Sequence, residues 1–193
     1  MMTNNDLSLD AAEEPSATAS VVWILILTLA GVGGSLVISC VTPFVALAVA
    51  LAGTVRLAVA LRAMTAIWLA NQFIGFVFFH FPRTPNTVLW GLAIGVAALS
   101  STVLAAKVIK GATAMPILAR AGLALALGFA AYEGGLFVAA LFLGGLETFS
   151  PAIIAQVGLS NVVWLVGLVA LNELVAMLCK PWLGVTPRLL KAA

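Results

Sequence analysis

Apolar runs long enough to cross a lipid bilayer follow one another along most of this chain, with too few charges between them to sheathe a water-soluble globule. Of its 193 residues, 63% are hydrophobic and 8% are charged, where a soluble domain carries about 25% charge. A lipid-spanning segment must satisfy its own backbone hydrogen bonds, so it is a helix or part of a closed barrel. Barrel strands alternate apolar and polar residues; these runs do not. The expectation is an all-α, polytopic membrane protein. The net charge of +2 is spread over loops and gives no nucleic-acid footprint.

Six stretches approach or exceed the about 20 residues that a spanning helix needs: residues 20–39, 42–61, 63–81, 87–106, 117–145 and 152–179. Pro43, Pro82, Pro85, Pro116 and Pro151 stand at or near their breaks, where proline starts or stops a helix. No turn residue separates the second and third stretches, so a tight turn is placed near Arg62, with Arg56 snorkelling from the last turns of the second. Residues 1–19 form a polar, acidic tail that reads as disordered, residues 20–180 the six-helix domain, and residues 181–193 a short basic tail. This thread puts eight of the nine basic residues on one side: Arg56, Arg62, Lys107, Lys110, Arg120, Lys180, Arg188 and Lys191. Only Arg83 falls on the other. The positive-inside rule then places both termini in the cytoplasm and the protein in the inner (cytoplasmic) membrane. Trp23, Trp68 and Trp182 fall near the inner interface and Trp90 near the outer one, as interfacial anchors or as ordinary packing. Cys40 and Cys179 lie on opposite sides, which argues against a disulfide between them.

The outer loops are short, and residues 80–86, His-Phe-Pro-Arg-Thr-Pro-Asn, are the most distinctive local run. His80 and Arg83 either form the floor or lid of an outward-facing site, with Arg83 holding an anionic group, or cap a helix end and contact lipid phosphate. At about 1.5 Å per residue, Glu133 lies about 18 Å below the outer end of the fifth helix. Asn71 and Gln72 reach similar depth on the third helix, and Gln156 and Asn161 occupy the outer half of the sixth. An acid at such depth is costly unless neutral or hydrogen-bonded, and it faces a bundle interior or cavity. Asn71, Gln72, Tyr132, Glu133, Gln156 and Asn161 therefore read either as the lining of a polar pocket between the third, fifth and sixth helices or as interhelical hydrogen-bonding glue. Glu173 falls at the inner interface and reads as structural. The five phenylalanines of residues 73–81 suit either an apolar ligand or packing.

Small residues recur four apart at Ala30/Gly34, Ala46/Ala50 and Gly91/Gly95, a spacing that lets helices approach closely, either within the bundle or at a partner-docking face. The chain carries no phosphate loop, no His-Glu-x-x-His and no Gly-x-Ser-x-Gly. Ser160 has no orienting partner in the sequence, so an enzyme is not expected. No cofactor is implied.

The outline resembles the substrate-binding (S) components of energy-coupling-factor vitamin transporters: six helices, both termini cytoplasmic, and small-x-x-x-small faces such as Ala46-x-x-x-Ala50 and Ala30-x-x-x-Gly34. The resemblance implies vitamin uptake through an outward-facing pocket, with a separate ATPase module and a membrane partner docked on a small-residue face. Were the ligand a cobalamin, as in one solitary branch of that family, Cys40 or His80 would be the residue to ligate cobalt. Two functions compete: a small-molecule carrier, and a non-transporting membrane scaffold or assembly subunit. The topology has a direct test. In a Cys-free background, an impermeant thiol reagent added outside should label Asn86→Cys and leave Lys110→Cys unmodified in intact cells; labelling of the latter overturns the orientation.

Overall fold

The computed structural model describes residues 17–37 and 42–183. Among them are six α-helices: α1 (Ala17–Val37), α2 (Phe44–Thr54), α3 (Leu57–Val77), α4 (Pro85–Gly111), α5 (Ile117–Leu143) and α6 (Pro151–Leu183). A 3₁₀ turn, Leu146–Phe149, joins α5 to α6. The described residues contain no strand. Residues 1–16 of the acidic tail, Cys40 and the basic tail from residue 184 onward lie outside the described residues, as do the surroundings of Gly34 and the side chains of Cys179, Lys180 and Trp182, whereas residues 17–19, expected in the tail, open α1.

Most boundaries fall where backbone chemistry demands. Thr84 caps α4 by accepting a hydrogen bond from the Thr87 amide (3.2 Å), and Pro85 opens its first turn. Pro151 does the same for α6, with Ser150 Oγ accepting from the Ile153 amide (3.4 Å). The α5 end is turned by Gly144 and Gly145, at φ 84° and 94°, where a side chain would be strained. Four helices, α3 to α6, are long and apolar enough to cross a membrane, and the chain is a helical membrane protein.

The second and third segments depart from expectation. The helix break is at Val55–Arg56, not near Arg62, and Arg62 sits inside α3. Val55 (φ −134°, ψ 166°) and Arg56 (φ −65°, ψ 147°) are both extended and form the whole link. In place of a full second span there is an 11-residue α2, about 16 Å long, roughly half the hydrocarbon thickness.

This short helix is the core of the molecule. Every residue from Phe44 to Ala52 is buried, and α2 packs against all five other helices. A helix apolar on every face belongs inside a protein. Trp23 of α1 donates its indole N–H to Thr54 Oγ1 at the end of α2 (3.1 Å), so this tryptophan is a core anchor rather than an interfacial one.

Cross-helix contacts fix the directions. Gly31 of α1 faces Leu47, Thr42 before α2 meets Asn71 late in α3, Trp68 of α3 meets Gly91 of α4, Ser101 of α4 meets Gly128 of α5, and Phe129 of α5 meets Gly158 of α6. Successive helices are thus antiparallel, so the start of α1 and the end of α6 share one end of the bundle. Arg56, Arg62, Lys107, Lys110 and Arg120 gather at that end, and Arg83 stands at the other.

The α3–α4 seam shows how small residues are used. The Trp68 indole lies over Gly95, so close that a Cβ there would come within 2.6 Å of the ring. Its Nε1 donates to the Gly91 carbonyl (2.8 Å), and Gln72 covers Gly91 itself. Gly91 and Gly95 are therefore a notch for α3, and their surface is not open to a partner. Ala46 and Ala50 are fully enclosed in α2. None of these four can form an external docking face. Ala30 is half-buried against the core. Gly95→Ala should cost about 1–3 kcal/mol by overpacking, read as a lower thermal midpoint in detergent with a shifted Trp68 emission; an unchanged midpoint contradicts the notch.

Candidate functional site

Asn161, Asn71 and Thr42 meet at the start of α2. Amides at a helix start lack intrahelical acceptors, and hydrocarbon offers none. The Ala46 amide is met by Asn161 Oδ1 at 3.0 Å, across the interface from α6. Asn161, buried at 3% exposure, also donates from Nδ2 to the Val157 carbonyl one turn back (3.0 Å). On the other side Thr42 donates its hydroxyl to Asn71 Oδ1 (2.6 Å). Phe44 lays its ring 6.2 Å from Tyr132 of α5. By helical rise, Asn161 lies about 15 Å inside the start of α6 and Asn71 about 9 Å inside the end of α3. α2 thus begins well within the bundle's depth.

Beside this cluster, α5 and α6 diverge around an apolar groove of about 570 Å³. Leu118, Leu125 and Phe129 form one wall, Leu165 and Val169 the other, and Asn161 is its one polar lining residue. Glu133, half-buried, follows Phe129 by four residues and Ala126 by seven on α5, so it stands on the same helix face one turn beyond the Phe129 end of the groove. The volume is within the range of small-molecule sites, which pair apolar walls with a few fixed polar groups.

The expected pocket between the third, fifth and sixth helices does not form. Among the described residues α3 touches neither α5 nor α6, because α2 and α4 stand between them. Asn71 and Asn161 therefore reach the start of α2 separately. Gln72 faces Gly91 on α4, away from this cluster. Gln156 is exposed on α6.

His80 and Arg83 are exposed in the loop after α3 and sit over no cavity of the α5–α6 pair. His80 adopts φ 53°, with Nδ1 against the Phe78 carbonyl (3.0 Å). It turns the chain so that the Phe81 amide donates back to the Gly75 carbonyl (3.0 Å). The observed contacts give His80 the work of ending a helix. Among the described residues no group of three His, Cys, Asp or Glu side chains comes together as a metal site; Cys40 is not among those residues.

Sequence reasoning missed Thr42 and Phe129, and it missed that Asn161 holds a backbone amide. The available signal was Thr42-Pro43 set inside an apolar run, a helix-start pair at membrane depth.

No protein-family model, curated protein or solved structure matches the chain.

Asn161→Leu should leave the Ala46 amide buried and unpaired, at a cost of about 1–3 kcal/mol. The expected readings are a lower unfolding midpoint and faster hydrogen exchange at the start of α2. Exchange unchanged at Ala46 would rule the capping role out.

Proposed function

We propose that this chain is a small-molecule carrier of the inner membrane that passes the bilayer six times, with the second pass completed by the short α2 and both termini in the cytoplasm. The basic end of the bundle is the cytoplasmic one under the positive-inside rule. One observation carries the transport reading. A buried helix starts at membrane depth, and the amide that caps it, Asn161, also lines the α5–α6 groove. Helix breaks at this depth are tolerated where they are buried in protein, as here, or line a cavity, and transporters place their ligand sites beside them.

The walls set the ligand class. A groove lined by Leu, Val, Ala and Phe, with one amide and a carboxyl group a turn away, suits a mainly apolar molecule bearing one hydrogen-bond donor or basic group. A vitamin-sized ligand is compatible with the volume. In a vitamin-uptake component the partner-facing surface would be a different one from Ala46 and Ala50. α5 carries Gly122, Ala126, Ala130 and Gly134 four residues apart, all exposed; the first two also line the α5–α6 groove, and nothing lies within 4 Å of a Cβ built at either glycine. The same stripe favours a second reading, a membrane assembly subunit that receives another protein's helix.

Two variants separate the readings. For a carrier, Glu133→Gln should lower ligand retention in native mass spectrometry, and uptake in cells, by about tenfold or more, the equivalent of about 1.4 kcal/mol, with expression intact. Gly134→Leu, outside the groove lining, should leave retention unchanged. The reverse pattern, with association lost in Gly134→Leu and nothing altered in Glu133→Gln, selects the assembly subunit.

A further inference from the structure

A second groove lies on another side of the bundle, where α4 runs between α3 and α5, with a volume of about 710 Å³. Its floor is a stripe on α4, from Val96 through Ser100 and Val103 to Lys107, flanked by Thr65 of α3 and Ala131 of α5. From Val96 to Lys107 the stripe is about 16 Å long, matching one leaflet of a hydrocarbon core about 30 Å thick. Lys107 lies about 33 Å along α4 from Pro85, at interface depth. Its charge closes the groove at the basic end of the bundle, where Arg62 and Lys110 are also exposed.

We propose that this groove is a binding site for an anionic phospholipid of the leaflet at the basic end. One acyl chain lies along the α4 stripe and the phosphate meets Lys107. Charge and length together choose this occupant. A zwitterionic lipid would carry its own cation to the lysine. A packed helix from another protein would need the cationic end of the groove paired or withdrawn from hydrocarbon. The α5–α6 groove makes the contrast, since no charged side chain lines it. Basic residues at the cytoplasmic ends of spanning helices recognise anionic head groups in this way. The proposal stands on α3–α4 geometry and does not depend on what the other groove carries.

The test is native mass spectrometry of the full chain from nanodiscs of equal parts phosphatidylglycerol and phosphatidylcholine. The wild-type protein should retain phosphatidylglycerol preferentially. Lys107→Gln, an exposed change that leaves the groove walls intact, should lower that preference about fivefold, since a basic residue near a lipid surface contributes about 1 kcal/mol. Val103→Trp should displace the bound lipid of either kind, and circular dichroism should show that the variant is folded. Equal retention of the two lipids by the wild-type protein overturns the proposal. So does an unchanged preference in Lys107→Gln, or a dimer cross-linked through cysteines placed at residues 96 and 103. If Val103→Trp does not fold, the wild-type preference and the Lys107→Gln ratio still decide the matter.

Discussion

A helix that begins inside a bilayer leaves amides that lipid cannot satisfy, and the bundle is arranged around that fact. Each unsatisfied amide in hydrocarbon costs several kcal/mol. At the start of α2 one position needs nothing, because Pro43 has no amide hydrogen, and Ala46 is served from another helix. The Asn161 bond spans α2 and α6, and the Thr42–Asn71 bond ties the same point to α3. These bonds fix the rotation of α2 about its axis. Its side chains, all apolar from Phe44 to Ala52, add shape complementarity, as where Leu47 lies against Gly31 and Val45 against Gly128.

The same chemistry explains how much was legible beforehand. Bilayer-length apolar runs marked α3 to α6, and prolines and glycines marked their ends, because those residues act through local backbone geometry. The Val55–Arg56 break carried no such mark. Both residues are merely extended, a conformation open to any residue, and the break exists because α2 must turn back beside α3 after filling the core. The Ala46/Ala50 and Gly91/Gly95 pairs were visible as close-approach sites, but spacing alone cannot say whether the approaching helix belongs to the same chain. Here it does: Trp68 and Gln72 occupy the Gly91–Gly95 notch. Asn161, Tyr132 and Glu133 stood out in the sequence because polar groups at depth need a reason, and the structure sets Asn161 and Tyr132 beside the start of α2. Their separation from Gln72 and His80 was not legible, because it depends on α4 and α2 lying between.

Buried charge at the basic end follows a similar logic. Arg120 was grouped with the loop cations, yet it is buried in the first turn of α5. Its Nη1 donates to the Ile109 carbonyl (3.2 Å) in the last turn of α4, where carbonyls lack intrahelical donors and the helix dipole favours a cation. That bond stitches the α4–α5 turn. Arg120 Nε and one Glu173 carboxyl oxygen are buried without hydrogen-bond partners among the described residues.

Asn161 already spends half of its hydrogen-bonding capacity inside the protein. Its carbonyl oxygen has two lone pairs and its amide nitrogen two hydrogens; one of each is committed, to Ala46 and to Val157. What remains is one acceptor and one donor. A ligand that demanded more would have to strip the cap from α2 and leave its amide unpaired. A ligand content with a single bond leaves the cap in place, and on the proposed reading Glu133, a turn beyond Phe129, supplies its second polar contact. Under the carrier proposal, a ligand suited to this groove has one or two polar groups near one end and an apolar body. On the proposed carrier reading, the helix start that holds the bundle together also limits the ligand.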